Sequence, residues 1–220
     1  MNPQLMGIWE HMRELGLCAL AHANRHTAYY SMINSAWHEL AVLQAAHAAE
    51  ILFKARIAQE HPLLIFEDFP KISASDEITV DLLFEKGKTI EWSDIPTRLW
   101  ATTGIRIANI EQFQKFGKLR NGIQHFAPPS GLDVTNETLA FIYNVIDPFI
   151  NECWGLFAID YDEDDEEYIY LIPALAYREI PFLVSTEAAK CFENWDVDWD
   201  KVKSSYLCII QERVEKALKN

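Results

Sequence analysis

Between residues 36 and 60 the chain carries alanine at 41, 45, 46, 48, 49, 55 and 58. Alanine has the highest helix propensity and a side chain small enough for neighbouring helices to approach closely. The stretch is therefore read as a helix, ended by Pro62. Further segments repeat the helical pattern. Leu5, Ile8, Trp9, Met12, Leu15 and Leu20 fall on one apolar face over residues 5–30. A short helix is predicted near Ile78–Phe84. Another follows Ser93, as cap, to Thr103, with Gly104 suited to its C-terminal cap. Asn109 opens the next, with Gln112 completing a partial capping box, and Phe113, Phe116 and Leu119 face inward. A last long helix is expected from about Thr135 to Phe157, kinked near Asp147–Pro148, with Leu139, Ile142, Ile146, Phe149 and Trp154 apolar. The fold class expected is all-α.

With 220 residues, half of them hydrophobic, the chain can bury one sizeable core. No apolar run approaches the length of a membrane span, and the N-terminal residues lack the basic start and apolar run of a signal peptide. The expectation is a cytoplasmic protein with no membrane partner. Cys18, Cys153, Cys191 and Cys208 form no Cys-x-x-Cys pair and are read as buried free thiols. His22 and His26 are four apart, but no carboxylate or third histidine lies near them in sequence. They are read as a polar face, and no metal site or cofactor is expected.

Seven acids fall in the eight residues from Asp160 to Glu167. This composition shift is read as a solvated boundary. It divides the chain into a helical bundle over 1–158 and an acidic linker with a small appended C-terminal subdomain over 159–220. In that second part Tyr168–Pro173 and Ile180–Ser185 are expected to be short strands or extended arms. A short helix follows over Ser185–Phe192, and Asp200 is expected to cap a final helix to about Leu218. The net charge of −14 argues against a general nucleic-acid coat. The balance reverses locally, because Arg106, Lys115, Lys118 and Arg120 face only Glu111.

The stretch with most chemistry is Leu119-Arg120-Asn121-Gly122-Ile123-Gln124-His125-Phe126. It places a permanent cation, an amide and an imidazole within six residues, just before Pro128–Pro129. Histidine moves protons near neutral pH, and arginine offers a fixed fork of donors to phosphate oxygens. RNA brings its own nucleophile, the 2′-hydroxyl beside the scissile phosphate. Asn121 lies one turn before His125, where it can orient the imidazole or bind a phosphate oxygen. Arg120 and His125, five apart, point roughly 140° away from each other on a straight helix. Either Gly122 bends the helix end, or a second copy of the segment supplies the missing partner across a two-fold axis. The plainer reading is a helix C-terminus, where Arg and His favour the negative end of the dipole. Upstream, His47, Glu50 and Lys54 stand on one side of the alanine-rich helix. They are either a solvated Glu–Lys pair with a neighbour or a polar stripe facing the same cleft as Arg120 and His125.

Arg120-Asn121 followed by His125 resembles the signature of the HEPN superfamily, small helical bundles found among prokaryotic toxins, antiviral defence systems and RNA-processing factors. His47-Ala-Ala-Glu50-Ile-Leu-Phe-Lys54 also resembles an early HEPN helix. The resemblance covers roughly residues 35 to 158. It implies a HEPN-like bundle and a metal-independent endoribonuclease that leaves a 2′,3′-cyclic phosphate. It further implies a homodimer with a composite cleft and an antitoxin or regulatory protein as partner. Arg120, Asn121 and His125 would be catalytic; His47, Glu50, Lys54 and Lys118 would meet the RNA. The alternative is a non-catalytic, HEPN-like dimeric module that binds a nucleotide or a partner protein, with Arg120 as anion anchor.

Overall fold

The computed structural model describes residues 3–68, 78–163 and 168–219. The helices are α1 (Ile8–Ala28), α2 (Trp37–Glu60), α3 (Val80–Lys86), α4 (Ile95–Thr103), α5 (Ile110–His125), α6 (Val134–Phe141), α7 (Asp147–Trp154), α8 (Leu171–Ala176), α9 (Thr186–Lys190) and α10 (Ser204–Leu218). Among the described residues the only extended pairing is a single antiparallel bridge between Phe66 and Thr89. The all-α expectation holds. Contacts divide the chain into two compact units. One holds Met1–Gly16 and Glu50–Arg106; the other holds Leu17–Ala49 and Ile107–Asn220.

Helix α2 is buried on nearly every side, through Ala41, Val42, Ala45, Ala46, Ala48, Ala49, Leu52, Phe53, Ala55, Ile57 and Ala58. A helix apolar all round belongs inside a core. In the first unit Gly16 of α1 lies against Leu52; a Cβ there would meet the Leu52 side chain at 2.7 Å. Glycine is what permits that approach. Thr79 caps α3 by accepting from the Leu82 N–H, and Gly104 ends α4 at φ 75°. Ser93 caps nothing: it sits inside a 3₁₀ turn, Trp92–Asp94, that leads into α4 without a side-chain cap. Arg98 donates to the Leu64 and Phe66 carbonyls at 3.0 and 3.3 Å, fastening α4 to the 62–66 segment.

In the second unit Asn109 caps α5 by accepting from the Gln112 N–H at 3.2 Å. Phe113, Phe116 and Leu119 are buried as the spacing predicts, and Phe116 stacks on Phe141 at 3.8 Å between centroids. Near Pro148, where a kink is expected, the helix passes through a π turn, Ile142–Ile146, that joins α6 to α7. Proline has no N–H, and its ring would meet the carbonyl four residues back. The wider turn relieves that clash, with the Asp147 N–H reaching the Ile142 carbonyl.

Residues 159–163 and 168–219 fall in the same compact unit as 107–158. Tyr168–Pro173 is not a strand: Leu171–Ala176 is helical, and Pro173 sits in the first turn, where its missing N–H costs nothing. Ile180–Val184 has no regular secondary structure and no strand partner among the described residues. Asp200 lies in a 3₁₀ turn, Trp199–Lys201, and α10 starts only at Ser204 without a side-chain cap. Cys18 and Cys208 are exposed free thiols and Cys153 and Cys191 are half-buried, so none is the fully buried thiol expected.

Candidate functional site

The Arg120–His125 segment forms the last turns of α5. Its outward position follows from the inward one of Phe116 and Leu119, which turns the flanking residues toward solvent. Arg120 is half-buried, and Asn121, Gln124, His125 and Phe126 are exposed. Arg120 Nη1 approaches Gln124 Oε1 at 3.4 Å, one turn ahead. The helix stays regular through His125, and the Phe126 N–H closes on the Gly122 carbonyl at 2.8 Å. Gly122 therefore introduces no bend, and Arg120 and His125 diverge on one copy as the helical period requires. The helix stops where it does because Ala127 precedes Pro128, which disfavours a helical backbone. Phe126, 93% exposed, is the aromatic neighbour of His125.

Of the four cations expected near this segment, Lys115 is engaged by Glu137 at 2.6 Å. Lys118 is exposed on α5. Arg106 lies over the Trp100 ring at 4.7 Å. On α2, His47 is exposed and Glu50 half-buried. Lys54 is buried; its Nζ donates to Glu50 Oε1 at 2.7 Å and to Thr89 Oγ1 at 3.0 Å. The three form a clamp that ties α2 to the 88–90 segment of the first unit.

Two arrangements escaped sequence reasoning. The first is a buried polar network in the second unit. Asp147 is fully buried, and its two oxygens accept from the Ala158 and Leu183 N–H groups, each at 2.8 Å. Burial pushes its carboxyl up to about 7, against the pull of those two N–H groups and of the Arg213 charge. Burial likewise raises the Tyr143 hydroxyl well above its usual range. That hydroxyl donates to Asn24 Oδ1 at 3.3 Å, while Asn24 Nδ2 donates to the Ala158 and Tyr161 carbonyls. Asp160 accepts from Tyr168 Oη at 3.0 Å and Ser185 Oγ at 2.6 Å, so the first acid of the run is a structural acceptor and not merely solvated. The only sequence signal was a polar residue at each of several otherwise apolar helix positions.

The second is a carboxylate for the histidine pair. Glu163 lies 2.8 Å from His22 Nδ1. His22 and His26 rings are 5.9 Å apart. Burial, then the neighbouring His22, lowers the basicity of His26. Among the described residues no three His, Cys, Asp or Glu side chains are arranged to hold a metal ion. Residues 164–167 of the acidic run lie outside the described residues. Among the described residues no helix is long and apolar enough to cross a membrane. The chain matches no family model, no curated protein and no solved structure.

Proposed function

We propose that this chain is a metal-independent endoribonuclease of HEPN type, acting as a homodimer in a toxin or defence setting. The observation that carries the reading is the presentation of Arg120, Asn121 and His125 together at the solvent-facing end of α5. His125 takes the 2′-hydroxyl proton or supplies one to the leaving 5′-oxygen. Arg120 stabilises the charge that builds on the phosphorane. Asn121 orients the imidazole or a phosphate oxygen. The divergence of Arg120 and His125 on a regular helix supports a composite site, in which the arginine of one copy serves the histidine of another. Phe126 offers a face on which an unpaired base stacks, in keeping with single-stranded RNA as substrate. A regulatory partner would cover this same end of α5.

The test is purified protein with a mixed RNA pool in excess EDTA, with His125→Ala alongside and the new ends analysed. The expected result is cleavage that survives EDTA, leaves cyclic phosphate ends and falls about 100-fold or more in the variant. If folded, dimeric protein cuts no RNA and Arg120→Ala weakens nucleotide binding, the segment is an anion anchor in a binding module instead.

A further inference from the structure

A second cationic feature lies apart from α5, in the part of the chain that the ribonuclease reading leaves without a role. Residues 160–220 carry seven basic and fifteen acidic side chains. Four of the seven, Lys190, Lys201, Lys203 and Lys219, are paired with Glu187, Asp198, Glu179 and Glu215. Arg178 rests on the Ala174 carbonyl of its own helix. The remaining two, Arg213 and Lys216, stand three apart on α10, so they share a face. Both line one cleft of about 490 Å³, together with Asn151, Thr186, Phe157 and Leu183. Among the described residues neither is within ion-pair distance of a carboxylate. In a region of net −8, two cations without a carboxylate ion pair lining one concavity are the opposite of a solvated acidic surface, although one Arg213 nitrogen is held by the Phe182 carbonyl.

The wall opposite α10 is fixed before any ligand arrives. Asp147 holds the Leu183 N–H, Arg213 Nη1 holds the Phe182 carbonyl, and Thr186 Oγ1 donates to the Ala217 carbonyl at 3.2 Å. Each Asp147 oxygen accepts one backbone N–H; the Arg213 charge acts on this carboxyl without forming an ion pair with it. A preformed cleft loses little freedom on binding. Its volume exceeds that of a bare phosphate, and Phe157, Leu183, Val184 and Ala217 give it an apolar floor.

We infer that this cleft binds a small phosphomonoester with an apolar body, its dianionic head held by Arg213 and Lys216. Two positive charges match a phosphomonoester dianion better than a single carboxylate, and the arginine fork suits its oxygens.

The experiment is a calorimetric titration of the full chain with phenyl phosphate, with inorganic phosphate and phenol as partial probes. Saturable one-to-one binding of phenyl phosphate is expected, about tenfold tighter than either partial probe. The Lys216 side chain is exposed and makes no hydrogen bond or ion pair among the described residues, so Lys216→Glu keeps the fold and weakens binding at least about tenfold. Arg213→Lys tests the fork but also loosens the Phe182 carbonyl, so the charge reversal at 216 carries the decision. His125→Ala leaves this binding unchanged, which separates the cleft from the α5 site whether or not the latter cuts RNA. Absence of saturable binding at millimolar phenyl phosphate, unchanged affinity in Lys216→Glu, or loss of binding in His125→Ala overturns the inference.

Discussion

Lys54 on the apolar α2 and the Arg120–His125 segment on the amphipathic α5 both carry charge on a helix, yet the fold treats them in opposite ways. Lys54 is 5% exposed, and its ammonium is held by Glu50 and Thr89. The end of α5 stands open, with Asn121, His125 and Phe126 exposed. An internal charge must be partnered to offset desolvation, and once partnered it has little left to offer a ligand. An exposed imidazole at a helix end contributes little to the fold and keeps its donors and acceptors open to solvent. Polar residues at helical spacing in sequence therefore divide into clamps and sites only once burial is known.

Substitutions should separate the two roles, measured as changes in urea midpoint. The largest shift is expected at the clamp: Lys54→Ala removes the buried ammonium that donates to Glu50 and Thr89 and costs about 3 kcal/mol. An unchanged midpoint would mean that the pair is open in solution. Asp147→Asn comes next, at roughly 1–3 kcal/mol, because one of the Ala158 and Leu183 N–H groups loses its acceptor. This variant also sharpens the comparison through pH. The folded-state carboxyl titrates at about 7, above its ordinary 3.8, so between those values the folded protein holds a proton that the unfolded chain has released. The contribution of Asp147 to stability thus falls as pH rises from about 4 to about 7 and is constant above that. Asp147→Asn should flatten that part of the slope, and an unaltered slope from pH 4 to 8 would show that Asp147 does not cause it.

At the open end of α5 the effects on stability should be small. A Cβ at Gly122 would meet only the Ala127 carbonyl at 3.5 Å, an ordinary contact. Gly122→Ala should therefore add roughly 0.5–1 kcal/mol by firming the helix. A loss instead would imply that this turn bends in solution. His125→Ala should move stability least, within about 0.5 kcal/mol, while removing RNA cleavage. A large loss of stability there would make His125 a structural residue.

Much of the fold was legible from the sequence because helical period and end signals are local. The apolar spacing in α1, α2 and α5, the Asn109 cap and Gly104 all act within a few residues of themselves, and the chain places them as those rules require. Tyr168–Pro173 misled for the same reason: its β-favouring residues suggested a strand, but no neighbouring strand exists among the described residues, and tertiary packing buries Leu171, Ile172 and Leu175 as a helix instead. The α5 segment was visible because its residues are adjacent. Long-range relations were not visible: Glu163 beside His22, Asp147 bound to the Ala158 and Leu183 N–H groups, and Arg213 lining one cleft with Asn151 join residues far apart in the chain. By itself the sequence determined an all-helical chain with an Arg–Asn–His segment at a helix end. Only the tertiary structure decided which charges are clamps, which acids are acceptors and where two cations line one cleft without a carboxylate ion pair. Burial and partnering are properties of the packed whole, and no short window of sequence contains them.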